Sequence, residues 1–142
     1  MSEKKREGIK CVMVIDGELP VGLIANTAAI LGVTLGTKQD GIIGEDLQDG
    51  SGQRHLGITT IPIPILKASK EEIRSLREAA AKEEPDVMIV DFSAQAQSSR
   101  AYEEYATKLR QSEAMGIDYL GIALYGEDKI VKKLTGQIAL LK

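Results

Sequence analysis

Ile9-Lys10-Cys11-Val12-Met13-Val14-Ile15, closed by Asp16-Gly17, is the stretch on which the fold class turns. It is short, rich in β-branched residues and apolar on both alternating faces, the pattern of a strand buried in the centre of a sheet. Directly after it, Pro20 is tolerated in a first helical turn because its missing N–H would have no partner there. Leu23, Ile24, Thr27, Ala28, Ile30 and Leu31 then recur at helical spacing, predicting a helix from about residue 20 to about residue 35. The helix is apolar nearly all round. That predicts deep burial and leaves the Asn26 amide in need of partners.

Farther along, Gly41, Gly44, Gly50, Gly52 and Gly57 are interspersed with acids and the single histidine, and Asp49-Gly50-Ser51-Gly52 marks a turn, predicting a hairpin or extended loop. Residues 57–66 have strand composition, but Pro62 and Pro64 remove two donors on one side and assign that strand to an edge. Ser69-Lys70-Glu71-Glu72 fits a capping box at a helix start; Ile73, Leu76, Ala79 and Ala80 mark its inner face, and Pro85 ends it. Val87-Met88-Ile89-Val90 is the next buried strand, closing at Asp91-Phe92-Ser93. After the polar loop 94–98, Tyr102, Tyr105, Ala106 and Leu109 mark a helix over about 99–112, the tyrosines reading as core or a subunit contact. Residues 119–125 form another buried strand. A short helix with Ile130, Val131 and Leu134 and an apolar last strand over 137–141 complete the chain. Strands alternating with helices predict a three-layer α/β sandwich with a mixed, mostly parallel sheet, and 142 residues suit a single domain over 1–142.

Eighteen basic against 21 acidic residues give a net charge of −3, which argues against electrostatic capture of DNA or of a membrane surface. One cysteine allows no internal disulfide, and the polar start Met1–Gly8 lacks a secretory apolar segment, so a cytoplasmic location is expected. A lone Cys and a lone His cannot complete a structural zinc site, and no phosphate-cradling glycine motif is present; no metal or cofactor is expected.

Two stretches carry a resemblance. Leu134-Thr135-Gly136-Gln137-Ile138-Ala139-Leu140, after the strand and short helix that precede it, looks like the closing segment of type II peptidyl-tRNA hydrolases. Val12-Met13-Val14-Ile15 followed by Leu19-Pro20-Val21-Gly22 resembles that family's first strand, turn and first helix. The resemblance implies that family's three-layer fold, with peptidyl-tRNA or a related ester as substrate class. Where that family places lysines facing its substrate, this sequence has Leu23, Ile24 and Ala25, and Met115-Gly116-Ile117-Asp118 only echoes an "A-G-R-T" segment, without its Arg. As a whole the chain is more similar to an uncharacterised bacterial family sharing the hydrolase fold.

Ligand crevices in open α/β sheets lie beyond the carboxyl ends of the strands. There the reading gathers Asp16, the loop with Ser93, Gln95 and Gln97, and Tyr125-Gly126, with Asn26 within reach, as a site for a small polar ligand. Asn26 reads equally as a ligand-fixing amide and as a tie between helix and glycine-rich loop. The Ser93–Ser99 stretch reads equally as a solvated loop and helix cap. His55 is the default acid or base, with Asp46 or Asp49 to orient it, and is also a common turn-stabilising residue. Cys11, mid-strand, reads as an inert thiol. Three functions follow: a small-ligand binder without the lysine-dependent chemistry; a peptidyl-tRNA or ester hydrolase in which His55 or Asp91 activates water, the only reading with tRNA as partner; and a subunit that forms a homodimer through its apolar last strand.

Overall fold

The computed structural model describes residues 8–142. Its first strand, β1 (Ile9–Asp16), is buried from Cys11 onward and sits inside the sheet, as its two apolar faces require. Helix α1 (Val21–Lys38) follows, then the two-residue strands β2 (Leu47–Gln48) and β3 (Arg54–His55) of a separate hairpin, and β4 (Ile65–Ala68). Helix α2 (Lys70–Ala81) begins with the expected capping box: Ser69 Oγ accepts from the Glu72 N–H, and the Glu72 carboxylate accepts from the Ser69 N–H. Next come β5 (Val87–Ser93), α3 (Ala94–Gln97), α4 (Tyr102–Gln111), β6 (Tyr119–Glu127) and α5 (Asp128–Thr135).

The four-stranded sheet has the order β4-β1-β6-β5. Of the neighbouring pairs only β1–β4 is parallel; β6 is antiparallel to both β1 and β5, so β5 points the same way as β1. By pairing, the sheet is therefore mixed and partly parallel, and not mostly parallel. The cause lies in residues 94–118, which leave and re-enter the sheet at one end. The Ala94 N–H donates to the Asp118 carbonyl at 2.8 Å, so β6 starts beside the end of β5 and must run back along it. Alternation of helices and strands in the sequence is the same for either direction.

Helices cover both faces. One cluster joins Val12, Val14, Ile122 and Leu124 to Ile73 and Leu76 of α2 and Val131 of α5. On the other face Met13, Val90, Phe92 and Ala123 pack against Leu31 of α1. Helix α1 is less buried than its composition predicts: Thr27, Leu31 and Leu35 are its only buried residues, while Val21 and Val33 are 82% and 71% exposed. A helix lying on a sheet buries one stripe however apolar the rest is. Among the described residues, α1 is the helix long and apolar enough by length and composition to cross a membrane.

Other elements also depart from expectation. Most of 57–66 is irregular and only Ile65–Ala68 is strand, Pro64 contributing a carbonyl that accepts from the Met13 N–H. The tail makes a single bridge, Leu66 to Leu140, in place of a full strand, yet that bridge lies along the outer side of β4. The helix expected over 99–112 begins at Tyr102, after the separate turn α3, and buries no residue completely.

Gly121 sets the distance between α1 and the sheet. A Cβ there would stand 2.8 Å from Thr27 Cγ2 and 3.1 Å from Ile15 Cγ1, inside van der Waals contact. Gly121→Ala is expected to lower the unfolding free energy by about 1–3 kcal/mol in urea titration. Gly116→Ala, where a Cβ meets nothing within 4 Å, is the control and should change little; equal stabilities for the two would contradict this packing.

Candidate functional site

Because β6 runs back between β1 and β5, β5 pairs on one side only among the described residues. Against that open side lies a cavity of about 680 Å³, within the range of small-molecule sites. Helix α1 supplies Ile30, Thr34 and Lys38, β5 supplies Met88 through Phe92, and Ala96 and the segment Ser99–Tyr102 with Tyr105 form the remaining wall. The excursion after β5 begins with α3 and supplies this last wall. Ser93, fully buried, caps α3 by accepting from the Ala96 N–H, and the Gln95 amide donates to the Gly116 carbonyl at 3.0 Å. Lys108 donates to the Ser98 carbonyl at 3.1 Å, closing α4 onto the same excursion.

Tyr102 and Tyr105 stand edge to face with centroids 5.6 Å apart. Tyr102 is 81% exposed, so the pair walls the cavity and is not core. Burial first, then the nearby Asp91 carboxylate, raises the Tyr105 hydroxyl above the usual tyrosine value, keeping it a neutral donor. Asp91 itself is bound by Arg77 at 3.1 Å, and the Arg77 guanidinium lies 5.3 Å from the Tyr119 ring centre. Among the described residues Lys38 and Arg100 have no ion pair, which leaves two unmatched positive charges on a wall that is otherwise mainly apolar.

The residues singled out in the sequence are only partly brought together. Asp16 and Ser93 end parallel strands at one end of the sheet with β6 between them, about 10 Å apart by strand spacing. Tyr125-Gly126 lies at the opposite end, because β6 is reversed; it pairs with Lys10, Cys11, Val87 and Met88. Asp16 Oδ1 accepts from the Glu18 N–H at 2.9 Å in a tight turn. Asn26 is exposed on α1, so the burial expected for its amide is corrected. Gln97 is exposed, and Gln95 lines a separate cavity of about 410 Å³ with Ser98, Lys108 and Gln111. Asp91 alone of these candidates lines the β5 cavity. Lys38, Arg100 and the tyrosines were not singled out as a site, since nothing local in sequence joins residues 38, 88–92 and 100–105.

His55 belongs to the hairpin, whose root Ile42 packs with Cys11 and Leu35 near the start of β1, whereas Asp16 is at its far end. The His55 Nε2 and Asp49 Oδ2 atoms are 2.8 Å apart, and Asp49 Oδ1 also accepts from the Ser51 and Gln53 N–H groups. Asp46 accepts from the Gly57 N–H. The acids of this loop thus hold the turn. Gly52, at φ +84, supplies a left-handed residue at its tip, and a Cβ on Gly57 would overlap the Gly44 carbonyl. Cys11 is buried in β1, and desolvation pushes its thiol up to about 12. Among the described residues no three His, Cys, Asp or Glu side chains gather as a metal site.

Residues 9–142 match the family described as protein of unknown function (DUF2000). A solved structure of a protein of unknown function from Agrobacterium tumefaciens is similar over 94% of this chain and 97% of its own, with a TM-score of 0.85 and 20% identity, a likeness of fold. No curated protein matches.

The hairpin geometry makes a pH prediction. The His55 hydrogen bond, then those from the Gln53 and Ser51 N–H groups, hold the Asp49 carboxyl below its usual range. Its contribution to the turn is then complete above about pH 3.9 and lost as pH falls through the lowered folded value. Carbon-detected NMR titration should show Asp49 titrating low and moving upward in His55→Ala. An ordinary Asp49 titration, unmoved by that substitution, would contradict the arrangement.

Proposed function

The chain belongs to this family of unknown function, and from that premise we propose that the protein binds a small organic ligand in the cavity beside β5. The observation carrying this reading is the cavity itself: about 680 Å³, walled by Met88, Val90, Phe92 and two tyrosines, with few polar groups at defined places. That composition, an apolar body with sparse directed polar groups, is what small-molecule sites share.

The type II peptidyl-tRNA hydrolase resemblance enters the same proposal as a shared fold without the shared chemistry. The positions that correspond to that family's lysines are Leu23 and Ile24, both half-buried, and the exposed Ala25. None of them supplies a charge to a substrate. The two groups named for water activation are both engaged, Asp91 by Arg77 and His55 by Asp49. A ligand of the β5 cavity is also distinct from the polar crevice expected of Asp16, Asn26, Ser93, Gln95 and Gln97: Asp16 and Ser93 accept from N–H groups of their own turn and cap, and the Gln95 amide donates to the Gly116 carbonyl.

Saturation-transfer NMR with a fragment library tests the proposal. Fragments should bind the native protein and be lost in Ala101→Trp, which places a ring at the exposed lip of the cavity without altering the melting temperature. Binding that persists unchanged in the variant, or no binding at all, would contradict it. In parallel, the protein should release no blocked peptide from peptidyl-tRNA above background, and robust turnover would show that a hydrolase reading is needed.

A further inference from the structure

The way β5 lines the cavity constrains what fills it. Successive residues from Met88 to Phe92 all contribute. In a strand, neighbouring side chains point to opposite faces, and here Val90 and Phe92 pack on the α1 side while Asp91 meets Arg77 of α2 on the other. A cavity touching every residue in turn therefore runs along the edge of the strand and not over one face. At that edge every second residue directs its N–H and C=O away from β6. Among the described residues no backbone or side-chain group meets them, as β5 has β6 as its sole paired strand and no other hydrogen bond reaches the backbone of residues 88–92.

A ligand that answers donors and acceptors alternating at strand spacing is itself an amide backbone in extended form. The charges add a second requirement. Asp91 is neutralised by Arg77, while Lys38 and Arg100 on the same cavity are unmatched, so the wall carries an excess of two positive charges. An anion completes it, and the free end of a peptide supplies a carboxylate on the same molecule that supplies the amides.

We propose that the cavity takes a short extended peptide with a free C-terminal carboxylate, added as a strand to the open edge of β5 with its carboxylate held by Lys38 and Arg100. The proposal rests on the cavity being the ligand site. Apolar peptide side chains on the α1 side meet Ile30, Val90 and Phe92. Tyr105 offers its hydroxyl as a further donor.

Pools of N-acetylated apolar tripeptides, presented as free acids or as C-terminal amides, are titrated to millimolar concentration into nitrogen-15-labelled protein, with 4-phenylbutyrate as a carboxylate that has no amide. At least one free-acid pool should shift the Met88–Phe92 amide signals, with alternate protons moving downfield. The amidated pool and the Lys38→Met/Arg100→Met double variant should each weaken that binding about tenfold or more, the loss expected for charge-assisted hydrogen bonds. Binding of 4-phenylbutyrate with no response to any tripeptide pool would overturn the peptide proposal and leave the cavity as a small-molecule site. Equal binding of free acids and amides would overturn the carboxylate assignment. Silence to all probes, together with an empty fragment screen, would remove the peptide and the cavity reading together.

Discussion

The reversal of β6 is the constraint on which the rest depends. The hydrogen bond from the Ala94 N–H to the Asp118 carbonyl returns the chain to the end of the sheet where β5 stops, and β6 then fills the space between β5 and β1 along its full length. Ile122, Ala123 and Leu124 are buried on both faces as a result, and Gly121 lets α1 settle close above them. The same reversal leaves β5 outermost. At the other margin, the tail bridges Leu140 to Leu66 and shields β4. Among the described residues the sheet thus keeps one extensively open edge, and the cavity lies along it.

Edge strands are a liability unless something manages their free backbone groups. Helices α1 and α4 flank this edge without pairing to it, leaving a space bounded by tyrosines and two cations. Elsewhere the polar side chains that look chemically promising are engaged by the backbone nearby. Asp16, Asp46, Asp49, Ser69 and Ser93 each accept from an N–H within their own turn, loop or cap. The contrast assigns structural work to the acidic and hydroxyl-rich loops, and the proposed recognition falls to the edge.

Much of the architecture was legible in the sequence. The β1, β5 and β6 segments, the capping box at Ser69, the Asp49–Gly52 turn and the edge position of β4, which follows Pro62 and Pro64, are legible from patterning and turn chemistry, which act over a few residues. Strand direction did not follow, because it depends on the contact between residues 94 and 118. The burial of α1 was overestimated because composition reports how apolar a helix is and not how much of it a sheet can cover. The site was harder still. Of the residues chosen from sequence Asp91 alone lines the cavity; the choice assumed that the carboxyl ends of three strands, after Ile15, Val90 and Leu124, coincide, and with β6 reversed Tyr125-Gly126 lies at the opposite end. Lys38 and Arg100 carry no local signature, and only the fold places them on one wall.

The open edge of β5 is the feature from which both the cavity and its proposed occupant follow, and native-state hydrogen exchange reads it residue by residue. The account predicts an alternating pattern across Met88–Phe92, with the amides bonded to β6 strongly protected and those between them exchanging orders of magnitude faster. Uniform strong protection along the strand would mean that the edge is already paired, and would contradict the account.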